Sequence, residues 1–162
     1  MNDEKKAMTF HFFWKSKSPF SQWYPCKFTD GKATYSCTEQ YMMAEKARLF
    51  GDRQMEEKIM FVTSPAAMKK YGRRIKNFDP EEWELKRTDI VTQGNFYKFS
   101  QNQELKKALL DTGDALLVEA SPYDKIWGIG MKKSDPRAHY PIKWLGLNLL
   151  GKCLMAVKER VA

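Results

Sequence analysis

Hydrophobic and polar positions change period several times along this chain, and each change predicts an element. The aromatic run Phe10-His11-Phe12-Phe13-Trp14, within residues 9–14, fits a strand by composition, although its alternation is imperfect. Ser18-Pro19 and Tyr24-Pro25 punctuate the loop that follows, Asp30-Gly31 predicts a turn, and residues 33–36 form a second short strand. Ser36-Cys37-Thr38-Glu39 has the form of a capping box and opens a helix to about Phe50, where Gly51 is placed to stop it. A further helix is expected over residues 55–61. Ser64-Pro65 supplies a cap and a first-turn proline for a short helix ending at Gly72. Asp79-Pro80-Glu81-Glu82 repeats that signal for a longer helix through about Phe96, with Gly94 weakening its end. Residues 102–111 make another helix, stopped near Gly113, and Leu116-Leu117-Val118-Glu119-Ala120 is apolar enough for a buried strand. After a Gly- and Pro-rich loop over residues 121–141, a last helix from about Trp144 to Arg160 carries Leu147, Leu150, Leu154 and Val157 on one face. The pattern describes one α+β domain over residues 9–160, mainly helical with a few short strands, behind a flexible polar leader over residues 1–8.

Composition narrows the class. With 43% hydrophobic and 14% aromatic residues in 162, the chain has material for a real core, which excludes a disordered protein. The longest apolar stretches, such as Ala115 to Val118, are far shorter than the roughly 20 residues a membrane helix needs. The polar start carries acids and no apolar core of a signal peptide, so a cytoplasmic, membrane-free protein is expected. Three cysteines without a C-x-x-C pair and two histidines give no metal centre and no disulfide framework; no cofactor is expected. A net charge of +8 suggests an anionic partner such as a phosphate ester, nucleotide or nucleic acid. It also fits a merely solvated surface, since no block of five like charges occurs.

Three segments carry candidate chemistry. Glu39 and Lys46 are seven residues apart on the first helix, hence on nearly one face, with Met42 and Met43 along it. A carboxylate and an amine on an apolar strip feel desolvation and each other's charge, which shifts proton affinities toward catalytic use. The plainer alternative is that Glu39 completes the capping box and Lys46 is solvated. The loop after the last strand holds Asp124, Trp127, Gly128 and Gly130, with Trp127 suited to stacking on a base and Asp124 to a sugar. An ordinary turn, with Asp124 bonded to backbone and Trp127 packed inward, explains the same letters. Lys98-Phe99-Ser100-Gln101-Asn102 reads as a basic lead-in to a helix N-terminus and a phosphate seat, or as a plain cap; Arg73 and Arg74 after Gly72 are equally ambiguous.

These segments, taken in order, resemble the NADAR (YbiA-like) family. The blocks are Phe20-Ser21-Gln22-Trp23-Tyr24-Pro25, Thr38 through Ala47, Gly72-Arg73, Phe78-Asp79, Trp83, Arg87, Lys98 through Asn102, Thr112-Gly113, Leu117 through Gly130 and Trp144 through Gly151. The resemblance spans about residues 9–160 and implies a small, mainly helical α+β N-glycosidase without a metal. It implies a phosphorylated ribosyl or ADP-ribosyl substrate of one of two types. One is a phosphoribosylaminopyrimidine early in riboflavin synthesis; the other is ADP-ribose on guanine in DNA or RNA, removed to reverse the modification. By motif the resemblance puts catalytic roles on Glu39, Lys46, Asp124 and Trp83, with Lys46 forming a Schiff base with the opened sugar. Substrate-binding residues are expected at Phe20, Ser21, Arg73, Lys98, Trp127 and Gly128. Gln40 stands where many relatives have His.

Breaking a C1′–N bond builds positive charge on ribose, so one of Asp124 and Glu39 is expected to stabilise that charge while the other moves a proton. Arg48 and Lys98 are the cations expected to help keep Lys46 partly neutral. A non-catalytic ADP-ribose or nucleotide reader is the alternative, though a reader has no need of a paired acid and amine. A general nucleic-acid-binding module ranks last, because the aromatics sit largely in expected core segments.

Overall fold

The structure is a computed structural model that describes residues 7–162; most of the expected leader therefore lies outside the described residues. Strand β1 (Phe10–Phe13) pairs in parallel with β4 (Leu116–Glu119), in a register that sets Phe13 beside Glu119. Parallel neighbours end on the same side, so the chain leaves both strands at one edge, through Trp14 and Ala120. A second, unexpected strand, β2 (Phe28–Thr29), makes a small hairpin with β3 (Thr34–Tyr35). Asp30 tightens its turn by accepting the Lys32 and Ala33 N–H groups, both at 2.9 Å.

Helix α1 (Thr38–Leu49) is the centre of the molecule, with α2 (Arg53–Phe61), α3 (Pro65–Gly72) and α4 (Pro80–Gln101) packed on it. Its first two turns are buried nearly all round, as a central helix must be. The expected capping box does not form. Cys37 is the N-cap and makes no side-chain cap bond, while the Gln40 Oε1 accepts the Ser36 N–H at 2.9 Å. Gln40 Nε2 reaches back to the carbonyls of Ile59 and Met60, so this residue ties α1 to the end of α2. Glu39 is thereby released from a capping role.

Helix α4 continues through Gly94 to Gln101 instead of ending near Phe96. Gly94 is there for close packing: a Cβ would stand 2.5 Å from the Tyr41 ring of α1. Because α4 runs on, Lys98 lies inside it and not before a helix start; only Asn102 separates α4 from α5 (Gln103–Leu110). Lys98 is fully buried, and its Nζ donates to the Ser21 carbonyl at 3.1 Å. Burial pushes its amine down to about 8, the nearby Cys26 and Cys37 thiols opposing that shift.

The last helix also starts later than the pattern suggests. Trp144 follows a 3-10 turn over Pro141–Lys143, and α6 spans Leu149–Val161. Residues 145–148 instead bond to the loop after β4, with Leu147 N–H on the Lys125 carbonyl at 2.9 Å and Asn148 N–H on that of Gly128 at 3.1 Å. Leu147 is half exposed, whereas Leu150, Leu154 and Val157 are fully buried. Asn148 is buried in the left-handed region at φ 52°, donates to the Leu117 carbonyl at 3.0 Å and accepts the Glu119 N–H at 3.1 Å. It therefore clamps the end of β4 to the start of α6. Asn148→Ala removes both bonds and leaves a buried N–H and carbonyl unpaired, so a loss of about 2–4 kcal/mol in urea unfolding is expected.

Candidate active site

Segments distant in sequence meet over the start of α1 and leave a cleft of about 870 Å³. The loop over residues 18–24 docks there first: the Glu39 N–H and Thr38 hydroxyl both donate to the Gln22 carbonyl, at 2.9 and 3.2 Å. Asn95 of α4 holds the Gln22 side chain at 2.9 Å, and Lys98 holds the neighbouring Ser21 carbonyl. The docked loop brings the Trp23 side chain into hydrogen-bonding contact with the Glu39 carboxylate.

Glu39 and Lys46 both line this cleft, together with Asp124, Trp83, Trp127, Ser21 and Arg73. Three residues expected at the site lie elsewhere. Lys98 acts behind the wall, as described. Phe20 is buried in the core, stacked on Phe99 with ring centres 6.2 Å apart. Gly128 is buried beneath the cleft, where a Cβ would stand 2.9 Å from the carbonyls of Glu119 and Asp124. Arg48 faces away and bonds Tyr35, Glu45 and Glu56; the cation that acts on Lys46 is Arg73.

The carboxyl groups dominate the electrostatics. Glu39 is 4% exposed, and burial, reinforced by the Asp124 charge, pushes it up to about 7 against the opposing pull of Lys69, Lys46 and the Trp23 bond. Glu119, at the end of β4, is pushed up to about 8 by burial and then by Asp124 and Glu39, with Lys69 opposing. Asp124 is held by its own loop, its Oδ1 accepting the Ile126 and Trp127 N–H groups at 2.9 and 2.8 Å. Trp127 nonetheless lines the cleft as well as packing on the core. Lys46 is lowered by burial and by Arg73, with Glu39 opposing; its Nζ donates to the Gly72 carbonyl at 3.0 Å and lies 5.3 Å from the Trp83 ring centre.

Sequence reasoning missed Glu119, Lys69, Trp23, Gln22 and the rim pair Trp14 and Tyr123, all of which line the cleft. Glu119 closes the strand that leads into the loop singled out above, and a charged residue ending a buried apolar strand was the available signal. Its Oε2 and the Gln22 Nε2 are buried without hydrogen-bond partners among the described residues. Among the described residues no group of three or more His, Cys, Asp or Glu side chains is arranged to hold a metal ion, and no helix is long and apolar enough to cross a membrane.

This fold is that of a solved structure of Escherichia coli YbiA, with a TM-score of 0.78 at 28% identity over 96% of this chain and 86% of that one. The chain is 50% identical over 145 residues to N-glycosidase R617 of Acanthamoeba polyphaga mimivirus, covering 86% of this chain and 85% of that protein. It is also 30% identical over 141 residues to riboflavin biosynthesis protein VVA0006 of Vibrio vulnificus, covering 87% of this chain and 35% of that protein. Fold, cleft and relatives make it a hydrolase acting on N-glycosyl bonds. The chain belongs to the NADAR family, whose domain matches residues 12–162.

The two raised carboxyls have a consequence for stability. The folded state holds both protons more tightly than the unfolded chain, so the groups cost nothing below their ordinary value of 4.5 and destabilise as pH climbs through about 7 and about 8. Glu119→Gln cannot ionise. In thermal unfolding it is expected to match the wild type near about pH 4 and to melt roughly 4 °C or more higher near about pH 8.5.

Proposed function

We propose that the chain hydrolyses the ribose C1′–N bond of a phosphorylated ribosyl substrate, and that ADP-ribosyl guanine in DNA or RNA, from which ADP-ribose is released, suits the cleft best. The observation that carries this reading is the convergence of Glu39, Glu119 and Asp124 in one cleft that Lys15, Lys46, Lys69, Arg73 and Lys125 also line. Carboxylates stabilise positive charge developing on the sugar, and the surrounding cations hold phosphates. A non-catalytic reader would gain nothing from burying acids at such electrostatic cost.

As the C1′–N bond breaks, its electron pair leaves with the base nitrogen and the oxygen of water bonds to C1′. Glu119, protonated near neutral pH, gives its proton to the leaving base. Asp124, oriented by its two backbone donors, supplies the negative charge beside the sugar. Glu39 titrates near neutrality and takes the proton from water. In the covalent variant of this route, the neutral Lys46 amine attacks C1′ in place of water as the base leaves; the ring then opens at the C1′–O4′ bond, a proton passing from the nitrogen to O4′, and the resulting imine is hydrolysed by water to the free sugar and amine.

Separate aromatic stations favour the larger substrate. The rings of Trp14 and Tyr123 stand 6.0 Å apart in one part of the cleft wall, while Trp83 flanks Lys46. A dinucleotide-like ligand offers bases to both. The likeness to a riboflavin biosynthesis protein favours a second reading, phosphoribosylaminopyrimidine cleavage, which would use one station only.

The test offers ADP-ribosylated guanine DNA and the phosphoribosylaminopyrimidine side by side and measures free ADP-ribose and ribose 5-phosphate. Release of ADP-ribose is expected to dominate, with Glu39→Gln lowering it by about 1,000-fold or more while the protein stays folded. Turnover of neither substrate, or near-normal turnover by the variant, overturns the reading. Borohydride added during turnover is expected to trap a sugar adduct detectable by mass, absent in Lys46→Ala; no adduct in the wild type assigns direct hydrolysis.

A further inference from the structure

A second cavity, of about 780 Å³, opens on the other side of Trp14 and Lys15, which line both it and the catalytic cleft. Its remaining wall includes His11 and Phe12 of β1 and the consecutive lysines Lys132 and Lys133. No carboxylate lines it, and among the described residues no ion pair engages Lys15, Lys132 or Lys133. His11 is lowered by burial and by Lys158, so near neutral pH it offers an uncharged aromatic face. Lys15 sits at φ 73°, a left-handed position unfavourable to a lysine, and its amine lies 4.7 Å above the Trp14 ring. Unpaired cations and aromatic rings sharing a concave surface are the features that bind single-stranded nucleic acid, through phosphate attraction and base stacking.

We propose that this second cavity receives the nucleotide flanking the modified base of a single-stranded nucleic acid, with Trp14 and Lys15 as the passage between the two cavities. The inference rests on the reading of the substrate as part of a DNA or RNA strand. A strand whose modified base is in the catalytic cleft runs past Trp14 and Lys15, and its next phosphate meets Lys132 and Lys133. Guanine modified in a free nucleoside has no flank and leaves this cavity empty.

Two measurements test it. Fluorescence anisotropy with an unmodified, labelled oligothymidylate reads the second cavity without any cleavage. The wild type is expected to bind with a steep salt dependence, and the double variant Lys132→Ala, Lys133→Ala to bind at least tenfold more weakly, its log–log salt slope shallower by about 0.7, the value for one lost phosphate contact on a single strand. In the second measurement, the same variant is expected to keep wild-type cleavage of ADP-ribosylated guanosine and to lose at least tenfold in kcat/KM on the modified oligonucleotide. Unchanged oligonucleotide binding by the variant overturns the proposal. So does polyglutamate of matching charge binding as tightly as the oligonucleotide, because bases would then contribute nothing. Oligonucleotide binding without cleavage of either modified substrate sinks the proposed function and leaves this site standing.

Discussion

Three carboxyl groups crowded into one cleft, two of them largely withdrawn from water, are the constraint on which the rest of this molecule depends. Burial raises the proton affinity of Glu39 and Glu119, the Asp124 charge raises both further, and Glu39 adds to the rise at Glu119. The surroundings answer that repulsion. Lys69 opposes the rise at both glutamates, Lys46 and the Trp23 hydrogen bond oppose it at Glu39, and two backbone N–H groups meet Asp124. Each compensating group comes from a different segment, so the fold must bring α1, the end of α3, the loop over residues 18–24 and the end of β4 together for any of them to be stable there.

Much of this was legible from letter spacing, and the failures have definite causes. The seven-residue interval from Glu39 to Lys46 placed both on one helix face, and both line the cleft. Asp124 and Trp127 were visible as side chains presented just past a buried strand. Ser36 and Glu39 matched a capping box, but Gln40 took the cap bond because its side chain also reaches the α2 carbonyls. Gly94 looked like a helix terminator, since propensity carries no information about the Tyr41 ring that needs its space. Lys98 looked like a phosphate seat before a helix start for the same reason: nothing local records that Ser21, 77 residues earlier, supplies its acceptor.

The aromatic residues teach a related lesson. Four of the five tryptophans, Trp14, Trp23, Trp83 and Trp127, line the cleft, although composition alone assigned aromatics chiefly to the interior. Large rings that are half-buried serve both purposes: one face packs on the core and the other walls a ligand site. The family likeness adds what geometry alone does not, the class of bond that such a site acts on. Glu119, Lys69 and Trp23 enter the site only through tertiary packing, which is why no single stretch of sequence announced them.

Asn148 joins two properties that are usually separate. By gripping β4 on both sides of Val118, at the Leu117 carbonyl and the Glu119 N–H, it makes the posture of a buried cleft acid depend on how the C-terminal helix begins. Tension, a fused tag or an interacting surface at α6 would then register as altered acidity at the far end of β4, giving the last helix mechanical leverage over the charge of the cleft.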